Sequence, residues 1–258
     1  MLGQAGKSRG SFAGRRDNRG RVHFVEVLAC AVAVVVFSVV LGAVASATTV
    51  TASSVLKAAK KAIAQQSGVH VVLVANSSSS SSIEKIVGDV GVTGGTEEIS
   101  EGKESLKVEV TSSYAYVSGN LTGLTTIFGL SSAEAKKIGT RWTTWKAGTS
   151  QYSQIKSDTT ISSVAALLPN AKGTKLSTEA INGSTFYVLK WATAATSSAP
   201  EVSNTFTISS GTMTLPVKET ATDSTGTKVT TSFSSWGEQV PVTVPPVTST
   251  VAFSKITG

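Results

Sequence analysis

Cysteine is nearly missing from this chain: Cys30 is the only one among 258 residues. No disulfide can close within one molecule, and no thiolate metal site can be assembled. Histidine is almost as scarce. Of the two, His23 lies near the start, which leaves His70 as the one imidazole of the remaining chain. Charged residues make up only 15%, and Arg141 is the sole arginine beyond residue 47. A nucleic-acid binder needs a dense Lys/Arg stripe, with arginine in particular for phosphates and bases, so this partner class is excluded. The net charge of +7 is concentrated at the front: Lys7, Arg9, Arg15, Arg16, Arg19 and Arg21 outweigh Asp17 and Glu26. The abundant Ser, Thr and Gly suit an extracellular β-rich protein.

The parts of a catalytic site are missing as well. A Ser-His-Asp triad could use only His70, which sits inside an apolar strand, and there is no G-x-S-x-G elbow. Zinc would have to rely on carboxylates. Asp89, Glu97, Glu98, Glu101 and Glu104 form an acidic patch near predicted hairpin tips, without the D-x-D-x-D-G loop of a calcium site. Gly91-Val92-Thr93-Gly94-Gly95 lacks the Lys-Ser/Thr of a phosphate loop. Nothing selects a carboxylate pair for sugar hydrolysis. The expectation is a protein that is not an enzyme and has no cofactor and no metal.

The front carries an address. A basic flank (residues 1–24) precedes a largely apolar segment (25–47), whose run Val27–Ala47 ends in Ala45-Ser46-Ala47. Basic, apolar, then small residues is the layout of a secretory signal peptide, but the run is also long enough for a membrane anchor. Both readings leave the basic flank in the cytoplasm and deliver Thr48 onward outside, either anchored and facing outward or secreted after cleavage near Ala47. Val27-Leu28-Ala29-Cys30 is a weak lipobox, because the apolar stretch follows the cysteine instead of preceding it. Arg15-Arg16 lacks the context of a twin-arginine signal.

The exported part begins with one amphipathic helix, predicted over residues 51–66. Val55, Leu56, Ala59, Ala62 and Ile63 form its apolar stripe, and Lys57, Lys60 and Lys61 its wet side. Strands are predicted at 69–75, 85–93, 96–100, 105–110 and 114–117, with the serine run Ser77–Ser82 as a loop. Leu121–Leu130 is apolar but broken by glycine. Ser131 and Glu134 then form a capping box for a helix ending near Gly139. A short strand (140–146) and a second helix (160–168) follow. Strands return at 174–179, 185–191, 205–209, 213–220 and 228–233. This order predicts an α+β fold, one large antiparallel sheet with helices on one face, over residues 48–246, and a C-terminal tail over 247–258.

Several pieces also resemble, in order, the actinobacterial envelope lipoproteins of the LppX/LprG group. They are Gly68-Val-His-Val-Val-Leu73, Tyr114-Ala-Tyr-Val117, Lys137-Ile-Gly-Thr-Arg-Trp142, Ile181-Asn-Gly-Ser-Thr-Phe-Tyr-Val188, Leu215-Pro-Val-Lys-Glu-Thr220 and the ending Phe233-Ser-Ser-Trp-Gly-Glu-Gln-Val240 with its Pro-spaced exit. A member has a clear lipobox where this chain has the long apolar run. The resemblance implies a LolA-like half-barrel: a strongly curved sheet whose concave face is plugged by helices around an apolar cavity for acyl lipid or glycolipid. It implies carriage or presentation of envelope lipid with no catalytic residue. Strand parity and the helical interlude suggest Val71, Leu73, Val90, Val92, Leu106, Val108, Val110, Leu124, Ile127, Phe128, Leu130, Val164, Leu167 and Leu168 as cavity residues, with ordinary core as the alternative for each. Leu121–Leu130 is the expected lid, and Trp236 the expected clamp on the last strand. The second functional reading is a membrane-anchored envelope domain with a filled core, acting through a protein partner.

Overall fold

The computed structural model describes residues 50–77, 83–196 and 199–257. The leader, with its cleavage or anchoring, and most of the serine loop lie outside the described residues. Among those described, no helix is long and apolar enough to cross a membrane.

Helix α1 (Ala52–Ala64) starts at a Thr51 cap, where Thr51 and Ser54 satisfy each other's backbone N–H groups. It buries Val55, Leu56, Ala59 and Ile63. Strands β1 (Gly68–Asn76), β2 (Ile83–Gly91), β3 (Gly95–Glu101), β4 (Glu104–Val110) and β5 (Tyr114–Gly119) form a meander. A π-helical turn (Gly123–Ile127) and α2 (Ser132–Ile138) follow, the latter opened by the Ser131/Glu134 capping box. Then come β6 (Trp142–Lys146), α3 (Ser150–Asp158) and α4 (Ile161–Ala166). The second half supplies β7 (Lys175–Ile181), β8 (Ser184–Thr193), β9 (Val202–Ser209), β10 (Pro216–Asp223), β11 (Lys228–Ser234) and β12 (Thr250–Ala252).

All twelve strands belong to one open, curled sheet in the order β12-β6-β5-β4-β3-β2-β1-β11-β10-β9-β8-β7. The fold is α+β, as the sequence predicts. The first strand is central because β11 returns to pair with it, Val71 opposite Phe233. Every neighbouring pair is antiparallel except β12 with β6.

Residues directly opposite in a ladder share a face, so the registers assign every strand residue to one side. One cross-strand row runs Leu176, Leu189, Phe206, Glu219, Thr231, Leu73, Ile86, Ile99, Leu106. The adjacent row on the same face includes Phe233, Val71, Gly88, Glu97, Val108 and Val117. All helices pack on this inner face, in two separate cores. In one, α1 and α4 cover Val69, Val90, Leu189, Phe206, Ile208 and Phe233. In the other, α2, α3 and the π-turn cover Leu106, Val108, Val110, Val117 and Trp145.

Two elements depart from the sequence reading. Helix α3 is additional; it buries only Tyr152, so its sequence shows no apolar stripe. The described part of the predicted C-terminal tail, residues 247–257, packs on the fold. Strand β12 extends the sheet at β6, Ile256 is buried in the second core, and the Phe253 ring lies 5.0 Å from that of Trp145. The Pro-spaced exit therefore interrupts pairing and does not end it.

Candidate functional site: the uncovered strip of the inner face

Between the two cores the inner face is left partly open. Leu73 and Ile86 face each other across β1 and β2, both are partly exposed, and neither belongs to either core. Val71 borders the first core and Ile99 the second. An apolar strip thus runs down the centre of the sheet with helices on both flanks. Parity explains the apolar side chains: β1 is Val-rich throughout, so both of its faces are apolar, and only the inner one meets helices.

Two carboxylates stand in these same rows. Glu97 lies between Gly88 and Val108, and Glu219 between Thr231 and Phe206. Neither has a hydrogen-bond or ion-pair partner among the described residues. Burial first, and then the Asp158 carboxylate at the end of α3, together push the Glu97 carboxyl up to about 7. Burial alone raises Glu219 to about 7. Asp158 is itself raised by burial, against a hydrogen bond from Ser157. Glu97 retains partial exposure although protein surrounds it, as expected of a group lining a recess. Space for it comes from its cross-strand neighbour: a Cβ on Gly88 would stand 3.0 Å from the Glu97 Cγ and 2.5 Å from the Thr96 carbonyl oxygen. The α3–α4 junction reaches the same region, where a Cβ on Gly95 would lie 2.7 Å from the Thr159 carbonyl oxygen.

Charge is segregated between the faces. The described strand lysines, Lys85, Lys107, Lys146, Lys175, Lys190, Lys218 and Lys228, all point outward by register. Inward-pointing are Glu84, Glu97, Glu101, Glu104 and Glu219. The acidic patch read from the sequence is therefore divided. Asp89 and Glu98 are outside, bonded to His70 and Lys107 at 2.7 and 2.5 Å, while Glu97, Glu101 and Glu104 are inside.

The residues suggested as a cavity wall are distributed over both cores. Val90, Val164, Leu167 and Leu168 pack with α1, and Val71 borders them. Leu106, Val108, Val110, Leu124 and Leu130 are buried in the second core, with Ile127 and Phe128 at its edge. Leu73 lies on the open strip. Val92 is 61% exposed because β2 ends at Gly91 and leaves it in the turn. The lid segment is pinned at its start: Asn120 accepts from the N–H groups of Gly123 and Ser105 and donates to Lys103, while Leu124 is fully buried. Glu219 and Ile86 on the strands, and Asp158 on the additional helix α3, are site residues the sequence does not single out. The strands are read, but the parity of an acid in a Thr-rich strand does not reveal a covered face.

Outside the strip, a recess of about 420 Å³ opens mainly on the outer face, lined by Lys85, Glu98, Ser100, Lys107, Ser118 and Asn120 among others. Charged and hydroxyl side chains share its lining with Val87, Ile99 and Leu106, so it is mixed in character and not the purely apolar void the lipid reading expects. Ser234, His70 and Asp89 are aligned across three strands on the outer face. Ser234 makes no hydrogen bond to the ring and the row lies on an open sheet surface, so the alignment lacks the geometry of a triad. Trp236 caps the inner face near Phe233, its indole N–H donating to the Pro216 carbonyl at 2.9 Å. Just beyond it, Gly237 has φ 86° and its N–H bonds the Gly68 carbonyl, tying the chain exit to the start of β1.

No protein-family model and no curated protein matches the chain. Among solved structures it is similar to the Mycobacterium tuberculosis lipoprotein LppX, at 14% identity and a TM-score of 0.48, over 74% of this chain and 98% of that one. It is also similar to LprF from Mycobacterium bovis, at 16% and 0.45 over 76% and 96%, and to a DUF1329 family protein from Desulfovibrio piger, at 9% and 0.32 over 76% and 96%.

Proposed function

We propose that this protein is an extracytoplasmic, non-enzymatic binder of acyl-chain amphiphiles, envelope lipid or glycolipid, and that the guest lies on the inner face between the two cores. One observation carries the reading: Leu73 and Ile86, paired on the central strands between the two helix-covered cores, belong to neither core and are left partly exposed. Covering apolar surface with an acyl chain gains about 0.8 kcal/mol per methylene buried, so a strip of this kind favours a long, thin guest. The leader, with its basic flank, apolar run and A-x-A ending, supports delivery outside the cytoplasm. The bound chain needs no catalytic group and no metal.

The two well-packed cores favour the second reading, an envelope domain that acts through a protein partner with nothing bound inside. Native mass spectrometry of the full-length chain purified from its own host separates the two. Acyl lipid carried with the polypeptide supports the binder. A bare polypeptide mass, unchanged after incubation with host lipid extract, supports the second.

A further inference from the structure

The inner face is acidic in a protein whose net charge is positive. No lysine or arginine of the described strands points to that face by register, and Glu97 and Glu219 have no ion-pair partner among the described residues. On the flanking helices, Lys156 is the nearest basic residue to Asp158 in sequence, and its ammonium lies over the Tyr152 ring, 5.6 Å from the centroid. Lys137 of α2 donates to the Ile256 carbonyl. Helix α4 carries no charge, and the α1 lysines are exposed.

Glu97 is the decisive group. Its side chain is directed inward by register, is mostly but not fully buried, and receives no donor among the described residues. A carboxylate so placed is costly to ionise unless a cation or donor arrives from outside. Asp158, at the end of α3, is near enough to act on it electrostatically, and the next residue, Thr159, brings its carbonyl to β3 at Gly95, so carboxyls from sheet and helix are neighbours here. Glu219 extends the same acidic field across Leu73 and Ile86.

We propose that the strip takes a cationic amphiphile, with its ammonium group held by Glu97 and Asp158 and its alkyl chain lying across Ile86 and Leu73. This rests on the reading of the strip as an acyl-chain site and names the guest's polar end. The polar end is chosen by charge complementarity. An anionic headgroup would meet carboxylates with no compensating cation, and a neutral one would leave Glu97 without a counter-charge. The raised carboxyls at Glu97 and Glu219 support this, since an arriving ammonium stabilises their ionised forms and binding should release protons near neutral pH.

The test compares three single-chain probes of equal tail length, dodecylammonium, dodecyl maltoside and dodecanoate. Binding to the full-length protein is followed by titration calorimetry at low ionic strength, below their micelle concentrations. Dodecylammonium is expected to bind at least about tenfold more tightly than the other two, a difference that added salt reduces. Glu97→Gln is expected to erase most of that preference, weakening dodecylammonium far more than dodecyl maltoside. Asp158→Asn, at an exposed helix end, serves as a second variant and should reduce the preference without disturbing the fold. Equal or tighter binding of dodecanoate, or a preference that survives both variants, overturns the cationic assignment while the acyl-chain reading stands. If none of the three probes binds, both fall.

Discussion

Glu97 and Gly88 face each other on the inner side of the β2–β3 ladder, and the missing side chain of the glycine is what makes room for the carboxylate. A methyl group at Gly88 would press on both the Glu97 side chain and the Thr96 carbonyl. Gly88→Ala is therefore expected to destabilise the protein by about 1–3 kcal/mol, because backbone must shift to admit it. Chemical denaturation of the two proteins checks this.

The raised carboxyls make stability pH-dependent in an unusual direction. Glu97 and Glu219 hold their protons up to about 7 when folded but release them at ordinary glutamate values when unfolded. The folded state binds more protons between these limits, so stability declines as pH rises from about 4.5 through 7 and levels off above. Asp158, facing Glu97 from α3, is raised too and adds in the same sense. The two glutamates together are expected to cost about 2–5 kcal/mol across this interval. Thermal melts at pH 5 and pH 8 measure the slope, and Glu97→Gln with Glu219→Gln should flatten it. A melting temperature that increases across this range contradicts the placement of both groups.

Trp236 holds the exit of β11 by one hydrogen bond and by ring packing on Phe233. Trp236→Phe removes the bond to the Pro216 carbonyl and should cost about 1 kcal/mol. Trp236→Ala also removes the packing and should cost about 3 kcal/mol or more. Equal effects from the two would locate the contribution in the hydrogen bond alone. Denaturant midpoints distinguish the cases.

The C-terminal residues are structural. Ile256→Ala opens a cavity in the second core beside Trp145 and Phe253 and should cost about 2–4 kcal/mol. A chain ending at Pro246 loses β12 as well and should expose the Trp145 ring. Tryptophan fluorescence of that truncation would report increased quenching by iodide. Unchanged quenching would return residues 247–258 to the role of a tail.

Much of this fold was legible because its periodicities are local. The α1 stripe, the Ser131/Glu134 box and the alternation of Leu106, Val108 and Val110 each declare an element within a few residues. Helix α3 was not, since SQYSQIKSD buries a single tyrosine and is held by its neighbours. Strand β12 was not, since three residues after a Pro-rich segment pair only through tertiary context. The site was half legible. Alternation showed that β1 and β2 carry apolar inner residues, yet whether helices cover them depends on where α1, α3 and α4 rest. The consecutive acids Glu97 and Glu98 look alike in sequence. Register alone sends one inward to a recess and the other outward to Lys107.

The central claim is that a guest lies on the strip at Leu73 and Ile86, and opposite faces of the same two strands supply its control. Leu73→Gln with Ile86→Gln alters the inner face, whereas Val72→Gln with Val87→Gln alters the outer face at adjoining rungs of the same ladder, all four residues being partly exposed. Affinity of the full-length protein for dodecylammonium and dodecyl maltoside is measured in both double variants. Loss of about tenfold or more in the inner pair, with the outer pair close to the parent, is the predicted result. Equal affinity in all three proteins, or a larger loss from the outer pair, contradicts it.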